Sequence, residues 1–404
     1  MSLVITQRIY YVDSYCRRFD ATVVRALEHE GRPAVVLDRT AFYPTSGGQP
    51  FDVGQLGDAR VVETVDVDEQ VVHVLFTPLE PGAVVVGEID WHRRFDHMQQ
   101  HTGQHVLSAA FDRLFDNRTV GFHMGSDVSS IDLAREASPT EIERALDEAN
   151  RVVWEDQVVS VRFVSQEEAA MLPLRKESAR EGTLRLVEVA GFDLSACGGT
   201  HVSRTGAVGM IAVLSSERLR GGSRVTFVCG NRALSTLRTY RDAVVGSVRA
   251  LSVLPAELPA AVERVQAESK DLRKQLKGLQ DQLAVHEGHA LASRATEIGD
   301  VGLVVEIVGW DAAGLKPLAA AATAGRHLCA ALFSAAPPIS VVVACSPGVA
   351  VDANKVLQQL VSQFGGRGGG KRELAQGGGL TGSAEAMSSA ARAILIRELG
   401  VAPL

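Results

Sequence analysis

Cysteine is scarce in this chain, and it forms no pairs. Its 404 residues hold five cysteines, Cys16, Cys197, Cys229, Cys329 and Cys345. No two make a CxxC, and the odd number argues against a disulfide framework. No apolar run approaches the length of a membrane span, so no membrane partner is expected. The opening residues, Met1 to Arg8, carry no signal-peptide core or cleavage site. With free thiols, this predicts a cytoplasmic protein. Strong positive charge is also missing. With 41 Lys and Arg against 48 Asp and Glu the net charge is −7, which excludes a protein that coats nucleic acid through bulk charge. Contact with nucleic acid would need local basic groups, such as Arg93-Arg94, Arg175-Lys176 or Arg367 with Lys371-Arg372. No GxxxxGK[ST] is present, so there is no P-loop.

Apolar residues make up 46%, ample for cores, and the length predicts two or three domains. Residues 1–90 read as short Val-rich strands at 21–25, 34–38, 60–67, 71–76 and 83–89, the pattern of a small β-barrel. Within them, Phe42-Tyr43-Pro44-Thr45-Ser46-Gly47-Gly48-Gln49-Pro50 reads as an irregular loop. Residues 91–240 mix helix and strand. Helical apolar spacing covers 95–115, strand material covers 120–133, and Ser138 with Glu141 forms a capping box for a helix over 139–154. Residues 245–296 hold the clearest helix, 258–295. Its Val262, Val265, Leu272, Leu276, Leu279 and Leu283 follow coiled-coil spacing.

Residues 297–404 read as α/β, with strands at 303–307 and 340–345 and helices at 312–329 and 354–364. A glycine-rich loop, 365–372, follows the second helix. Backbone N–H groups of such a loop can cradle phosphate, and Arg367, Lys371 and Arg372 add charge. The expected fold class is therefore α+β multidomain: an N-terminal β-barrel, an α+β core, a helical coiled-coil linker and a C-terminal α/β domain.

Two segments carry pairs of metal-type ligands, His101-Thr102-Gly103-Gln104-His105 and Cys197-Gly198-Gly199-Thr200-His201. In each, the two ligand residues are four apart. On a helix, positions i and i+4 share one face. One clip from each segment gives three histidines and a cysteine, a set that Zn²⁺ takes. Of the five cysteines only Cys197 sits among glycines and other ligand residues. His97, one turn before His101, is a candidate general base or ligand support. Gln104 is a candidate for the catalytic machinery.

The run from Arg94 to His105, followed far downstream by Cys197 to His201, resembles the editing domain of alanyl-tRNA synthetase. It looks most like the free-standing alanyl-tRNA editing proteins of the long AlaX type. The loop over 42–54 is similar to that family's glycine-rich N-terminal motif. Residues 365–380 are similar to the C-terminal domain shared with alanyl-tRNA synthetase and the DHH phosphoesterases. The resemblance implies a trans-editing hydrolase with a Zn²⁺ cofactor, which frees tRNA(Ala) from serine and also glycine. It implies that Thr45 reads the serine hydroxyl and that the C-terminal domain grips tRNA through Arg367, Lys371 and Arg372. The coiled-coil seam implies a homodimer.

An editing step has a physical reason. A pocket sized for alanine rejects glycine or serine by only about 1–3 kcal/mol, whereas a second site can hydrogen-bond the serine hydroxyl. No Asp-His-His motif is present, which weighs against phosphoesterase chemistry. The chain opens almost directly on the β-rich segment with no activation core before it, so a synthetase fragment acting as a ligase is disfavoured. A zinc-containing tRNA-binding module without turnover is the other alternative. Four protein ligands close a tetrahedral site, while catalytic zinc usually keeps one position open. A loose ligand, a fifth coordination position, and a zinc that positions substrate while other groups activate water all stay open.

Overall fold

The computed structural model describes residues 6–176 and 182–400; the ends of the first and last expected domains, 1–5 and 401–404, lie outside them. The chain divides into two compact units, Met1–Ser247 and Val248–Leu404.

In the first unit, strands β1 (Arg18–His29), β2 (Arg32–Leu37), β3 (Gly54–Leu56), β4 (Ala59–Val67), β5 (Gln70–Leu75) and β6 (Val84–Ile89) pair in the order β1-β2-β5-β4-β3-β6. The ring closes through β6 against β1. Alternation drives the arrangement. Phe19, Ala21 and Val23 point inward from β1 while Arg18, Asp20 and Thr22 do not. Two hairpins close on two-residue turns with both φ angles positive, Glu30-Gly31 and Asp68-Glu69, the geometry that matches strand twist.

Helix α1 (Trp91–Phe115) starts where Asp90 caps the Arg93 N–H. It is buried on every side over most of its length, so it carries no clear apolar stripe. Its Arg94 is fully buried and bonds Asp52 and the Ser14 and Ala41 carbonyls, which fastens the 41–52 loop to the helix. Strands β7 (Thr119–Met124) and β8 (Ser129–Leu133) form a hairpin within the stretch read as strand material. The capping box of α2 (Pro139–Trp154) forms as its sequence indicates. Strands β9 (Val159–Val164), β10 (Leu184–Val189) and β11 (Asp193–Ala196) make a three-stranded sheet. Strands β12 (Ile211–Leu219) and β13 (Gly222–Cys229) join β7 and β8 in a four-stranded sheet ordered β12-β13-β8-β7. Gly103 lets α1 approach β13: a Cβ there would stand 2.3 Å from the Cys229 sulfur. Helix α3 (Gly230–Leu251) holds the boundary between the units.

The second unit contains α4 (Leu258–Ser293), β14 (Thr296–Ile298), β15 (Val301–Val308), α5 (Ala312–Thr323), β16 (Leu328–Ser334), β17 (Ile339–Cys345), α6 (Ala353–Phe364), β18 (Arg367–Gly370), β19 (Leu374–Leu380) and α7 (Ala384–Glu398). Its six strands form one sheet ordered β14-β15-β16-β17-β19-β18. Both faces are covered. Cys329, Ala331 and Phe333 of β16 pack in the core with α6 and α7, and Leu328, Ala330 and Leu332 in the core with α4 and α5. Double burial explains a correction. The helix expected over 312–329 ends at Thr323, and Leu328-Cys329 open a strand that is apolar on both sides. The glycine-rich 365–372 segment is likewise no loop cradle. Its middle half, Arg367–Gly370, is β18, the outer strand of the sheet, in register with β19 through Gly368↔Gly377. Its glycines let the hairpin pass under α6, where a Cβ on Gly368 or Gly377 would crowd Leu357.

Candidate metal centre

Helix α1 supplies the first two ligands. His101 and His105 stand one turn apart and are buried. The second pair is held differently from the expected helical clip, because Cys197–His201 is irregular chain following β11. The Cys197 N–H donates to the Arg185 carbonyl at 3.1 Å, Thr200 N–H to Gln49 Oε1 at 3.0 Å and Val202 N–H to Thr102 Oγ1 at 3.2 Å. Gly199 must be glycine here, since a Cβ would lie 2.1 Å from the His101 ring.

The four ligand atoms lie within 4.8 Å of one another. Cys197 Sγ is 3.4 Å from His101 Nε2 and 3.3 Å from His201 Nε2. Zn–N and Zn–S bonds meeting at a tetrahedral angle would put sulfur and nitrogen about 3.6 Å apart. The outer bonds fix the rings. Gln49 Oε1 lies 2.8 Å from His101 Nδ1 and already accepts the Thr200 N–H, so Nδ1 carries the proton and Nε2 presents its lone pair. Asp193 Oδ2, which can only accept while ionised, fixes His105 the same way at 2.9 Å. Thr102 Oγ1 is 3.1 Å from His201 Nδ1. An outer partner on each ring is what metal-ligating histidines show.

The electrostatics agree. Burial pushes the Cys197 thiol up, but His101 and His201 overcome it and hold the thiol well below its ordinary range. Burial pushes Asp193 up, while hydrogen bonds from His105 and Arg175 hold it well below the usual carboxylate range. Burial, with the neighbouring His101 ring, pulls His201 down to about 3, leaving it neutral. For His105, burial is outweighed by the Asp193 and Cys197 contacts, and its pKa rises.

His101, His105 and Cys197 line a cavity of about 540 Å³, together with Tyr43, Ser46, Gln104, Phe122, Phe163 and Arg185. Gln104 lies in the wall, with its amide nitrogen 2.8 Å from Ser108 Oγ. Thr45 does not line the cavity. It is exposed; its N–H bonds the Thr64 carbonyl, and the loop reaches the cavity through Tyr43, Ser46 and Gly47 instead. His97 does not line it either. It is buried at 3% exposure, its Nδ1 has no partner among the described residues, and burial with Arg93 and Arg232 nearby pulls its pKa to about 3. Arg367, Lys371 and Arg372 are exposed on and beside the β18–β19 hairpin of the second unit. Gln49, Thr102, Asp193 and Arg185 belong to the site but were not selected from sequence. Gln49 ends the glycine-rich loop and was the one with a local cue.

Residues 15–93 match the family described as tRNA synthetases class II (A), and residues 184–225 the one described as Threonyl and Alanyl tRNA synthetase second additional domain. The first stretch contains Gln49, the second Cys197 and His201. The alanyl-tRNA editing protein AlaX-L of Pyrococcus horikoshii is 31% identical over 92% of this chain and 94% of its own length. The alanine–tRNA ligase of Pyrococcus abyssi is also 31% identical over 92% of this chain, but the match spans only 42% of the ligase. A solved structure, the C-Ala domain of Aquifex aeolicus alanyl-tRNA synthetase, is 24% identical over 26% of this chain and 97% of that domain, with a TM-score of 0.24.

Proposed function

Because this chain belongs to the alanyl-tRNA editing proteins of the AlaX-L type, we propose that it is an aminoacyl-tRNA hydrolase that removes serine, and also glycine, from tRNA(Ala). The observation that carries the reading is a His₃Cys cluster, three members of which, His101, His105 and Cys197, line a cavity large enough for a small ligand. Zn²⁺ fits the donor set through His101, His105 and His201 Nε2 and Cys197 Sγ; when bound, it supplies Lewis-acid polarisation and lowers the pKa of coordinated water.

The chain's own groups do the rest. Gln49 and Asp193 orient two of the ligand rings. Phe122 and Phe163 give the cavity apolar walls, and Ser46 and Gln104 offer polar atoms for the aminoacyl end. A serine hydroxyl bonded there is matched, whereas alanine leaves those groups unpaired. Thr45 is the second hydroxyl of the same loop. Arg367, Lys371 and Arg372 would meet tRNA phosphates. The exposed seam of α4, with Leu272 and Leu279 each 64% exposed, favours a homodimer. A cytoplasmic location is part of the proposal.

The test is single-turnover deacylation of matched seryl-, glycyl- and alanyl-tRNA(Ala), with and without a chelator. Release from seryl-tRNA, sparing of alanyl-tRNA and loss of rate on chelation are expected. Metal analysis of Cys197→Ala and His105→Ala should give clear loss of zinc. If serine stays on the tRNA while the protein still binds it, a zinc-containing tRNA-binding module is the correct reading.

A further inference from the structure

Arg185, a charged group in the cavity wall, has no carboxylate partner among the described residues. Arg185 stands on β10 and is 8% exposed. Its Nε donates to the Tyr11 carbonyl at 2.8 Å and its Nη1 to the Cys197 carbonyl at 2.6 Å. Its Nη2 has no hydrogen-bond partner among the described residues. The carboxylate of Asp193 is taken by Arg175, at 2.6 Å, and by His105. Among the described residues, those lining the cavity include Arg175, Lys176 and Arg185 but no Asp or Glu. Burial pulls the Arg185 pKa down, and the Cys197 charge opposes that pull. That thiolate, however, is committed to the ligand set.

A buried cation without its own counter-ion is costly to the fold. Such groups gather where their charge is used. Arg185 is fixed beside the ligand loop from two sides, because its carbonyl accepts the Cys197 N–H while its guanidinium holds the Cys197 carbonyl. The negative charge it can meet there belongs to the reacting end of a substrate. A phosphodiester further along the nucleic acid is better suited to Lys176, which is exposed.

We propose that Arg185 is a catalytic residue whose guanidinium stabilises the negative charge developing on the ester carbonyl oxygen of the aminoacyl-tRNA. This rests on the hydrolase reading above. Water oxygen adds to the acyl carbon, and the carbonyl π pair moves onto its oxygen, which is the charge Arg185 meets. The bond from the acyl carbon to the ribose oxygen then breaks. As it breaks, the oxyanion's pair returns to re-form the carbonyl, the ribose oxygen takes the proton the attacking water gives up, and the products are a free amino acid and an intact tRNA 3′ end. A preorganised donor aimed at that oxygen acts on the transition state more than on the ground state.

The full-length, zinc-loaded protein is compared with Arg185→Gln and Arg185→Lys. Glutamine keeps a donor for the Cys197 carbonyl and removes the charge. Four quantities are read: zinc content by mass spectrometry, thermal midpoint, single-turnover rate on seryl-tRNA(Ala), and the Kd of an analogue with an amide in place of the ester. For Arg185→Gln, zinc content and analogue Kd should stay within about threefold of wild type while the rate falls by about 100- to 1,000-fold, with lysine recovering about tenfold of the loss. An unchanged rate overturns the proposal. So does a rate loss that follows loss of zinc, which would make Arg185 a clamp on the ligand loop. Weakened analogue binding with an unchanged rate at saturation also overturns it. If Arg185→Gln does not fold, Arg185→Lys decides alone: a slowed rate with zinc retained supports the role, and a wild-type rate removes it. A wild-type protein that leaves seryl-tRNA intact refutes the hydrolase reading itself. An active wild type with an equally active Arg185→Gln refutes only the role of Arg185.

Discussion

Gln49 is fully buried and touches no substrate atom in the proposed chemistry, yet its removal should loosen the metal site. Its Oε1 accepts from His101 Nδ1 at 2.8 Å and from the Thr200 N–H at 3.0 Å, and its Nε2 donates to Thr200 Oγ1 at 2.8 Å. One side chain thus fixes a ligand ring on α1 and the loop that carries Cys197 and His201. Gln49→Ala strands two buried donors, each worth about 1–3 kcal/mol. Water entering from the cavity would meet part of that loss, so about 2–3 kcal/mol is expected, or about 4–12 °C in thermal midpoint for a unit of this size. Loss of an outer partner to a ligating histidine should also weaken metal binding about 10- to 100-fold. Gln49→Glu keeps an acceptor for both donors and should stay within about threefold of wild type. Zinc affinity by competition with a calibrated chelator at pH 7, read beside calorimetry, checks both variants. Gln49→Ala with wild-type zinc affinity would refute the reasoning, because His101 would then need no outer partner.

Three further outcomes are expected. His73 is buried in the barrel with its Nε2 2.8 Å from Thr40 Oγ1, and burial pulls its pKa from 6.5 to about 4. The unfolded chain therefore binds the proton first as pH falls. The neutral ring's contribution is complete above about pH 7 and declines toward pH 4, by about 2 kcal/mol between pH 7 and pH 5. Denaturant melts should give His73→Phe a pH slope shallower by that amount, and an unaltered slope would exclude His73. Ser46→Ala should erode discrimination between seryl- and alanyl-tRNA more than Thr45→Val does, since only Ser46 lines the cavity; the reverse order in paired deacylation rates would restore Thr45 to the pocket. A chain ending at Ser247 should keep zinc and hydrolysis, sediment as a monomer and need more tRNA, with a weaker salt dependence of binding. A dimer, or unchanged tRNA affinity, would assign those roles to the first unit.

The ligand residues themselves were legible in the sequence because His101 and His105 sit at helical spacing and Cys197 is the one cysteine among glycines and ligand residues. Strand alternation in the first ninety residues and the Ser138–Glu141 capping box are also local properties, governed by neighbours a few residues away. The spacing of Cys197 and His201 picked out two members of the cluster, but not for a helical reason, since the segment is an irregular loop held by Gln49, Arg185 and Thr102.

What only the tertiary structure decided lies in contacts between distant parts of the chain. Gln49 reaches His101 across 52 positions and Asp193 reaches His105 across 88, and no periodicity encodes such pairs. Folding also chose which hydroxyl of the glycine-rich loop faces the cavity, turned the second glycine-rich segment into a sheet edge, and left Arg185 without a carboxylate partner among the described residues. Sequence patterns record which face of an element is apolar. Where two polar atoms meet depends on how whole elements pack, because a hydrogen bond needs its partners placed to a few tenths of an ångström.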